Sequence, residues 1–409
     1  MNCYYNYAIG AWRSPASVLA WGARGRRFKS FRPDKKTTEW FFLFLHISTI
    51  PIRFWYNHNM SIKKPTRRDF LKLSAITLGA ITTQGFRPFF GFETEQKSNL
   101  LARVGTGSVS VYSQPNDKST ILYQRYRDEI INIYAEVISE FGPGYNPLWY
   151  RVWGGYVHSG YLQRVEINYN SIQNKIPEEG VLGEITVPFT QTMWDRSFLG
   201  WEPVYRLYYQ STHWVMGLDE GPDKEPWYRL KDELLNVDYH VPASHVRIIP
   251  LEELTPLSTD VEPHLKRIEV SIAYQNLKAF EGEKLVFETM ISSGVPMRNP
   301  DPTLIPTDTP KGTFYVQSKL PSKHMGDGNL TSDIYAYELP GVPWTSFFEP
   351  VTGVAFHGTY WHHNYGIRMS RGCINMKTEE AKWLFRWCTP TTHGDKIESR
   401  GLGTKVIVT

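Results

Sequence analysis

Short runs in which apolar and polar residues alternate, separated by turn clusters, predict a mainly β protein. Residues 109–112 alternate, Ser113-Gln114-Pro115-Asn116-Asp117 reads as a turn, and residues 129–138 read as strand. Trp149-Tyr150-Arg151-Val152 and then residues 155–162 close this first unit, which spans 103–168. Its closing pattern returns loosely in Trp227-Tyr228-Arg229-Leu230 followed by residues 239–246, which marks a second, diverged unit at 180–250. Acids, Ser, Thr and Pro256 make residues 251–264 a linker. Strand signals resume at 267–272 and 277–280, with Glu281-Gly282-Glu283 as a hairpin turn answered by 285–291. Ser292-Ser293-Gly294 ends that strand and Thr309-Pro310-Lys311-Gly312 opens the next. The glycines, prolines and aromatics of 323–328 and 335–344 predict long loops that form a lid or cleft. Only residues 378–387 predict a helix, with Thr378 as its N-cap and Glu379 and Glu380 in its first turn.

Composition changes this picture little, but charge changes it near the N-terminus. The chain has 409 residues, 41% hydrophobic and 21% charged, as for an ordinary globular protein of two or three domains. Aromatics reach 14%, which suits sheet surfaces and grooves. The formal charge is +4, yet residues 1–60 hold nine Lys and Arg against two acids and residues 61–72 hold five against one. The remainder is therefore acidic overall, which gives no basis for nucleic-acid binding. Within 61–72, Arg67-Arg68 is followed by Phe70-Leu71-Lys72 and an apolar run at 73–81, too short to span a bilayer. This resembles the twin-arginine export signal of bacteria. It implies Met60 as the start, a signal segment at 60–95, a disordered extension at 1–59 and an exported protein of the periplasm or cell wall. Membrane contact is then expected only through an uncleaved signal segment.

The candidate chemistry lies between His357 and Asn375. His357-Gly358-Thr359 is followed, after a variable stretch, by Ser370-Arg371-Gly372-Cys373-Ile374-Asn375. A cysteine attacks a carbonyl as the thiolate and needs a nearby base, for which imidazole is the usual choice. Gly372 permits a tight turn, and its N–H with that of Cys373 is an oxyanion donor pair. Of the three cysteines, Cys3 falls in the extension, and the predicted helix holds Cys388 away from Cys373. One thiol is thus reactive and one structural. His362 and His363 are neighbours that point to opposite faces of an extended segment, and no C-x-x-C or H-E-x-x-H pattern occurs. No metal site is expected, and His158, His213, His240 and His245 are read as core or surface residues.

These residues resemble the L,D-transpeptidase (YkuD-like) family, and the S-x-G and T-P-x-G segments upstream resemble its other landmarks. The resemblance covers 265–409 and implies a β-sandwich or barrel-like catalytic domain with a short helix after the cysteine. The two preceding units resemble small bacterial SH3-like β-barrels. The implied activity is acyl transfer on peptidoglycan stem peptides in cell-wall biogenesis. Cys373 is the nucleophile, His357 the base, the Gly358 carbonyl its orienter, and Gly372 with Cys373 the oxyanion site. Arg371 stands where many members have a second histidine, and is assigned to a substrate carboxylate. Asn375, Ser370, Tyr335, Trp344 and His362 complete the expected substrate contacts. No cofactor is implied, and the expected state is a monomer. The alternatives are an L,D-carboxypeptidase using the same site and a non-catalytic wall-binding protein.

Overall fold

The computed structural model describes residues 100–297, 305–394 and 396–409. The extension at 1–59 and the signal segment at 60–95 lie outside the described residues.

The first unit comprises β1 (Leu100–Val104), β2 (Ser108–Tyr112), β3 (Ile121–Tyr126), β4 (Ile130–Ile133), β5 (Ala135–Ile138), β6 (Leu148–Val152), β7 (Gly155–His158) and β8 (Leu162–Val165). They form sheets in the order β4-β1-β8 and β3-β2-β7-β6-β5 around Val104, Val111, Ile133 and Tyr150. The stretch expected as one strand at 129–138 is two, because the chain changes sheets at Tyr134.

The second unit comprises β9 (Val181–Ile185), β10 (Phe189–Asp195), β11 (Trp201–Tyr208), β12 (Thr212–Glu220), β13 (Pro226–Asp232), β14 (Val237–Pro242) and β15 (Val246–Ile248). All seven share one sheet, in the order β11-β10-β14-β13-β12-β9-β15. The loose repeat has a structural counterpart. Each unit closes with a strand, a 3₁₀ turn (Ser159–Tyr161 or Ala243–His245) and a final strand. The ring nitrogens of His158, His213, His240 and His245 bond to Asn146, Ser211, Asp219 and Thr190 respectively, inside these two units.

The third unit comprises β16 (Lys266–Ser271), β17 (Asn276–Glu281), β18 (Lys284–Met290), β19 (Gly312–Tyr315), β20 (Ser318–Gly326), β21 (Glu338–Glu349), β22 (Val354–Gly358), β23 (Ile374–Met376), helix α1 (Thr378–Trp387), β24 (Ser399–Arg400) and β25 (Lys405–Val408). Two five-stranded sheets, β18-β17-β16-β25-β19 and β23-β22-β21-β20-β24, enclose one core with α1. Lys377, not Thr378, is the N-cap, and its side chain makes no cap bond. At the other end the buried Lys266 and Lys319 ammoniums donate to the carbonyls of Trp387 and Cys388, where the helix dipole is negative. Cys373 and Cys388 are both free thiols.

Two expectations fail here. Most of 323–328 and 335–344 is strand, because β20 and β21 pair antiparallel from Ser318↔Phe347 to Gly326↔Glu338. The prolines at 321, 340 and 343 hid the alternation. Pro340 falls where the ribbon is irregular, opposite the register shift between Lys323 and Met325. Residues 251–264 are also not a loose tether. Leu254 is buried in the third unit's core, and Glu253 bonds both Arg247 and Lys382.

The second unit is joined to β20 by buried polar contacts. Thr212 Oγ1 donates to the Pro321 carbonyl (2.7 Å), and Lys323 pairs with Glu233 (2.6 Å). His324 lies between Asp232 (2.8 Å) and Glu338 (3.0 Å), with the Tyr205 ring 5.2 Å away. Burial pulls the His324 pKa down, but its bonds to Asp232 and Glu338 outweigh this and raise it to about 9. An imidazolium between two carboxylates is the stable state. A folded value above the ordinary value of about 6.5 means that its stabilisation is full below that pH. It is lost as pH rises through about 9. Melting temperatures measured from about pH 7 to about pH 10 should therefore fall more steeply for the natural protein than for His324→Gln.

Candidate active site

Parallel pairing of β22 with β23 sets Phe356 opposite Ile374 and His357 opposite Asn375. Val354, Phe356, Ile374 and Met376 all enter the core. Because side chains alternate along a strand, His357 and Asn375 point to the opposite face, and so does Cys373, two residues before Asn375. All three line a cleft of about 220 Å³. Its walls are the β20–β21 ribbon (His324, Met325, Tyr337, Leu339), the Thr352-Gly353 turn, Trp361 and Met369-Ser370-Arg371.

The His357 ring is buried, and its Nδ1 lies 2.9 Å from the Gly358 carbonyl oxygen. A carbonyl only accepts, so Nδ1 carries the proton and Nε2 is left as the base. Burial lowers the His357 pKa to about 4 despite that bond. The Cys373 thiol is half-buried, and Sγ faces the Gly353 carbonyl at 3.6 Å. Burial pushes its pKa up to about 11, with contact to the Ala355 backbone opposing the rise. The resting pair is thus a neutral thiol and a neutral imidazole, and deprotonation belongs to the reaction step.

The turn carrying Cys373 is held from several sides. Gly372 has φ +116°, a conformation that disfavours L side chains. Its carbonyl accepts from Thr309 Oγ1 (2.7 Å), and the same hydroxyl accepts the Gly294 N–H (2.8 Å). Ser293 O accepts the N–H groups of Met369 and Ser370. The S-x-G and T-P-x-G segments therefore act as the frame of the Cys373 turn. The motif alone marks these segments as landmarks, because their bonds to the Cys373 turn form only in the folded chain.

Ser370 lines the cleft, but its hydroxyl serves the turn, donating to the Cys373 carbonyl and accepting the Gly372 N–H at 3.3 Å. Of the expected oxyanion pair, only the Cys373 N–H then has no partner among the described residues. Arg371 lies over the Tyr337 ring (4.7 Å) at the cleft wall.

His362 is not a cleft residue. It is buried behind Asn375, with its Nε2 2.8 Å from Asn375 Nδ2, and its Nδ1 accepts the Asn364 N–H. Burial holds its pKa down to about 3, so the ring is neutral. With Nδ1 accepting, the proton sits on Nε2 and needs an acceptor. The amide of Asn375 is consistent with this when Oδ1 faces the ring and Nδ2 takes the place of the oxygen that has no partner.

Two expected substrate contacts lie elsewhere. Trp344, only 2% exposed, packs in the core on Phe385. Tyr335 is 67% exposed outside the cleft lining, with the Arg127 guanidinium 5.2 Å from its ring centre. Tyr337 and Leu339 line the cleft instead. Among the described residues no group of three or more His, Cys, Asp or Glu is placed to hold a metal ion.

A thiol and a neutral imidazole thus line one cleft, in a mainly β domain with one short helix. The family model for the L,D-transpeptidase catalytic domain (YkuD) matches residues 265–408, and this part of the chain is such a domain. The chain is 25% identical over 134 residues to the YciB protein of Bacillus subtilis (strain 168), covering 29% of this chain and 58% of that protein. It is 30% identical to the catalytic domain of the E. faecium L,D-transpeptidase, covering 35% of this chain and 96% of that one, with a TM-score of 0.25. Against a longer Enterococcus faecium L,D-transpeptidase the identity is 29%, the coverage 35% and 49%, and the TM-score 0.25. The chain thus spans about half the length of these longer relatives.

Iodoacetamide alkylation of Cys373 should be slow at neutral pH and rise toward about pH 11, without the low-pH plateau of a preformed thiolate–imidazolium pair. Thr309→Val keeps the shape of the buried side chain but leaves the Gly372 carbonyl and Gly294 N–H unpaired, each costing about 1–3 kcal/mol. The protein should melt earlier, and Cys373 should show an altered alkylation rate.

Proposed function

We propose that the protein is a peptidoglycan L,D-transpeptidase that joins the third residues of stem peptides through a cysteinyl acyl-enzyme. The observation that carries this reading is the common face of His357, Cys373 and Asn375 in the cleft, on a turn framed by Ser293, Gly294 and Thr309. His357 Nε2 takes the Cys373 proton as sulfur attacks the carbonyl of the donor's third residue, a diamino acid. The tetrahedral oxyanion is held by the Cys373 N–H. The C–N bond then breaks, and the terminal D-alanine leaves with the proton from His357. An acceptor amine attacks the thioester, gives its proton to His357, and the C–S bond breaks to restore the thiol. The Gly358 carbonyl keeps the His357 ring in the required tautomer throughout. Arg371, at the cleft wall, is suited to a stem-peptide carboxylate.

In the same reading the first two units are SH3-like modules, supported by the shared strand–3₁₀–strand closure. The twin-arginine segment directs export to the cell wall, and the enzyme works as a monomer without a cofactor.

The experiment is product analysis by mass spectrometry from defined tetrapeptides, with and without an acceptor stem peptide. Cross-linked dimer is expected from the natural protein and none from Cys373→Ala. Tripeptide alone, even with acceptor present, would make the enzyme a carboxypeptidase. No turnover by protein that still sediments with sacculi would make it a wall-binding protein.

A further inference from the structure

The segment that connects β22 to β23 runs from Thr359 to Cys373, and its first half leaves the third unit to lie on the first. Arg103, on β1, is 2% exposed and has every arm of its guanidinium engaged. Nη1 donates to Asp128 (2.9 Å), Nε and Nη2 to Gln163, and Nη2 also to the Tyr360 carbonyl at 2.7 Å. The Tyr208 ring covers its face at 4.0 Å, and Asp128 is shared with Arg206 of the second unit (2.7 Å). One buried cation therefore ties the first and second units to a carbonyl two residues beyond Gly358.

The following residues are held in the same way. Gly105, the turn after β1, approaches so closely that a Cβ there would meet the Trp361 carbonyl oxygen at 2.4 Å. The His363 N–H donates to the Gly160 carbonyl (2.7 Å), and Asn146 Nδ2 donates to the His363 carbonyl (3.2 Å). Between these anchors lie the groups that reach the site. The Trp361 ring stands 5.8 Å from the His357 ring and lines the cleft, and His362 bonds Asn375.

A desolvated guanidinium bonded to the backbone of another unit holds that backbone in one position, because leaving the buried donor unpaired is costly. We infer that the first unit is a working part of the active site, and that Arg103 is a positioning residue. It acts through the Tyr360 carbonyl to set Trp361 and His362 against His357 and Asn375. The inference rests on the acyl-transfer reading of Cys373. It assigns the first unit to catalysis rather than to attachment alone.

The test uses the full chain with Arg103→Met, Arg103→Lys and Gly105→Ala. Folding is checked by circular dichroism. The readouts are the pH profile of Cys373 alkylation by iodoacetamide, which needs no stem peptide, and kcat and KM for the tetrapeptide donor. Misplacing Trp361 and His362 should lower kcat by about tenfold or more with little change in KM, and should shift the alkylation profile. Gly105→Ala, which pushes on the Trp361 carbonyl without touching Arg103, should act in the same direction. Arg103→Lys keeps a charged donor and should recover part of the loss. If Arg103→Met does not fold, Gly105→Ala decides by the same two readings. Folded variants with the natural kcat and alkylation profile would overturn the inference. If the natural protein shows no turnover, the acyl-transfer reading fails, and the alkylation profile alone still judges Arg103.

Discussion

Everything at the site depends on the parallel pairing of two short strands, β22 and β23. Because the pairing is parallel, the chain must leave β22, arch over and return in the same direction. The arch separates His357 and Cys373 in sequence, while the pairing brings them to one face. A slip of one residue would turn Cys373 and Asn375 into the core and bring Ile374 to the cleft. The apolar residues Val354, Phe356, Ile374 and Met376 prevent that slip, since they must stay buried. Burial of one face thus specifies the chemistry of the other.

The same burial sets the charge state. A dry site disfavours both thiolate and imidazolium, so His357 is pulled down and Cys373 pushed up. The neutral pair is stored, and charge separation is left to the moment when substrate can share it. His324 shows the opposite outcome at similar burial, because Asp232 and Glu338 compensate its charge. Local partners, rather than depth, decide which histidine stays neutral and which is a structural cation.

Three β units form the described part, yet their boundaries are not where their work divides. Leu182 and Trp214 of the second unit enter the third unit's core. The first unit grips the arch between β22 and β23, and β20 is bonded to the second unit along the cleft wall. A segment with the composition of a linker is instead packed against α1, through Glu253 with Lys382 and Thr255 with Arg386.

Local sequence determined the strand alternation, the Glu281-Gly282-Glu283 turn, the helix at 378–387 and the histidine and cysteine at the ends of one motif. Each of these depends on residues close together in the chain, where period, turn chemistry and capping act. Only tertiary structure decided the rest. Trp344 looked like an exposed aromatic but is core, and Tyr335 looked equally suited to the cleft but lies outside it. Trp344 lies within β21, whose pairing with β20 the prolines concealed, and Tyr335 lies before that strand begins. His362, expected as a substrate contact, is instead a buried support for Asn375. Thr309 and Arg103 act on Gly372 and Tyr360 from far along the chain. Such contacts leave no local period, because they exist only once separate elements have packed and their polar groups must find partners away from water.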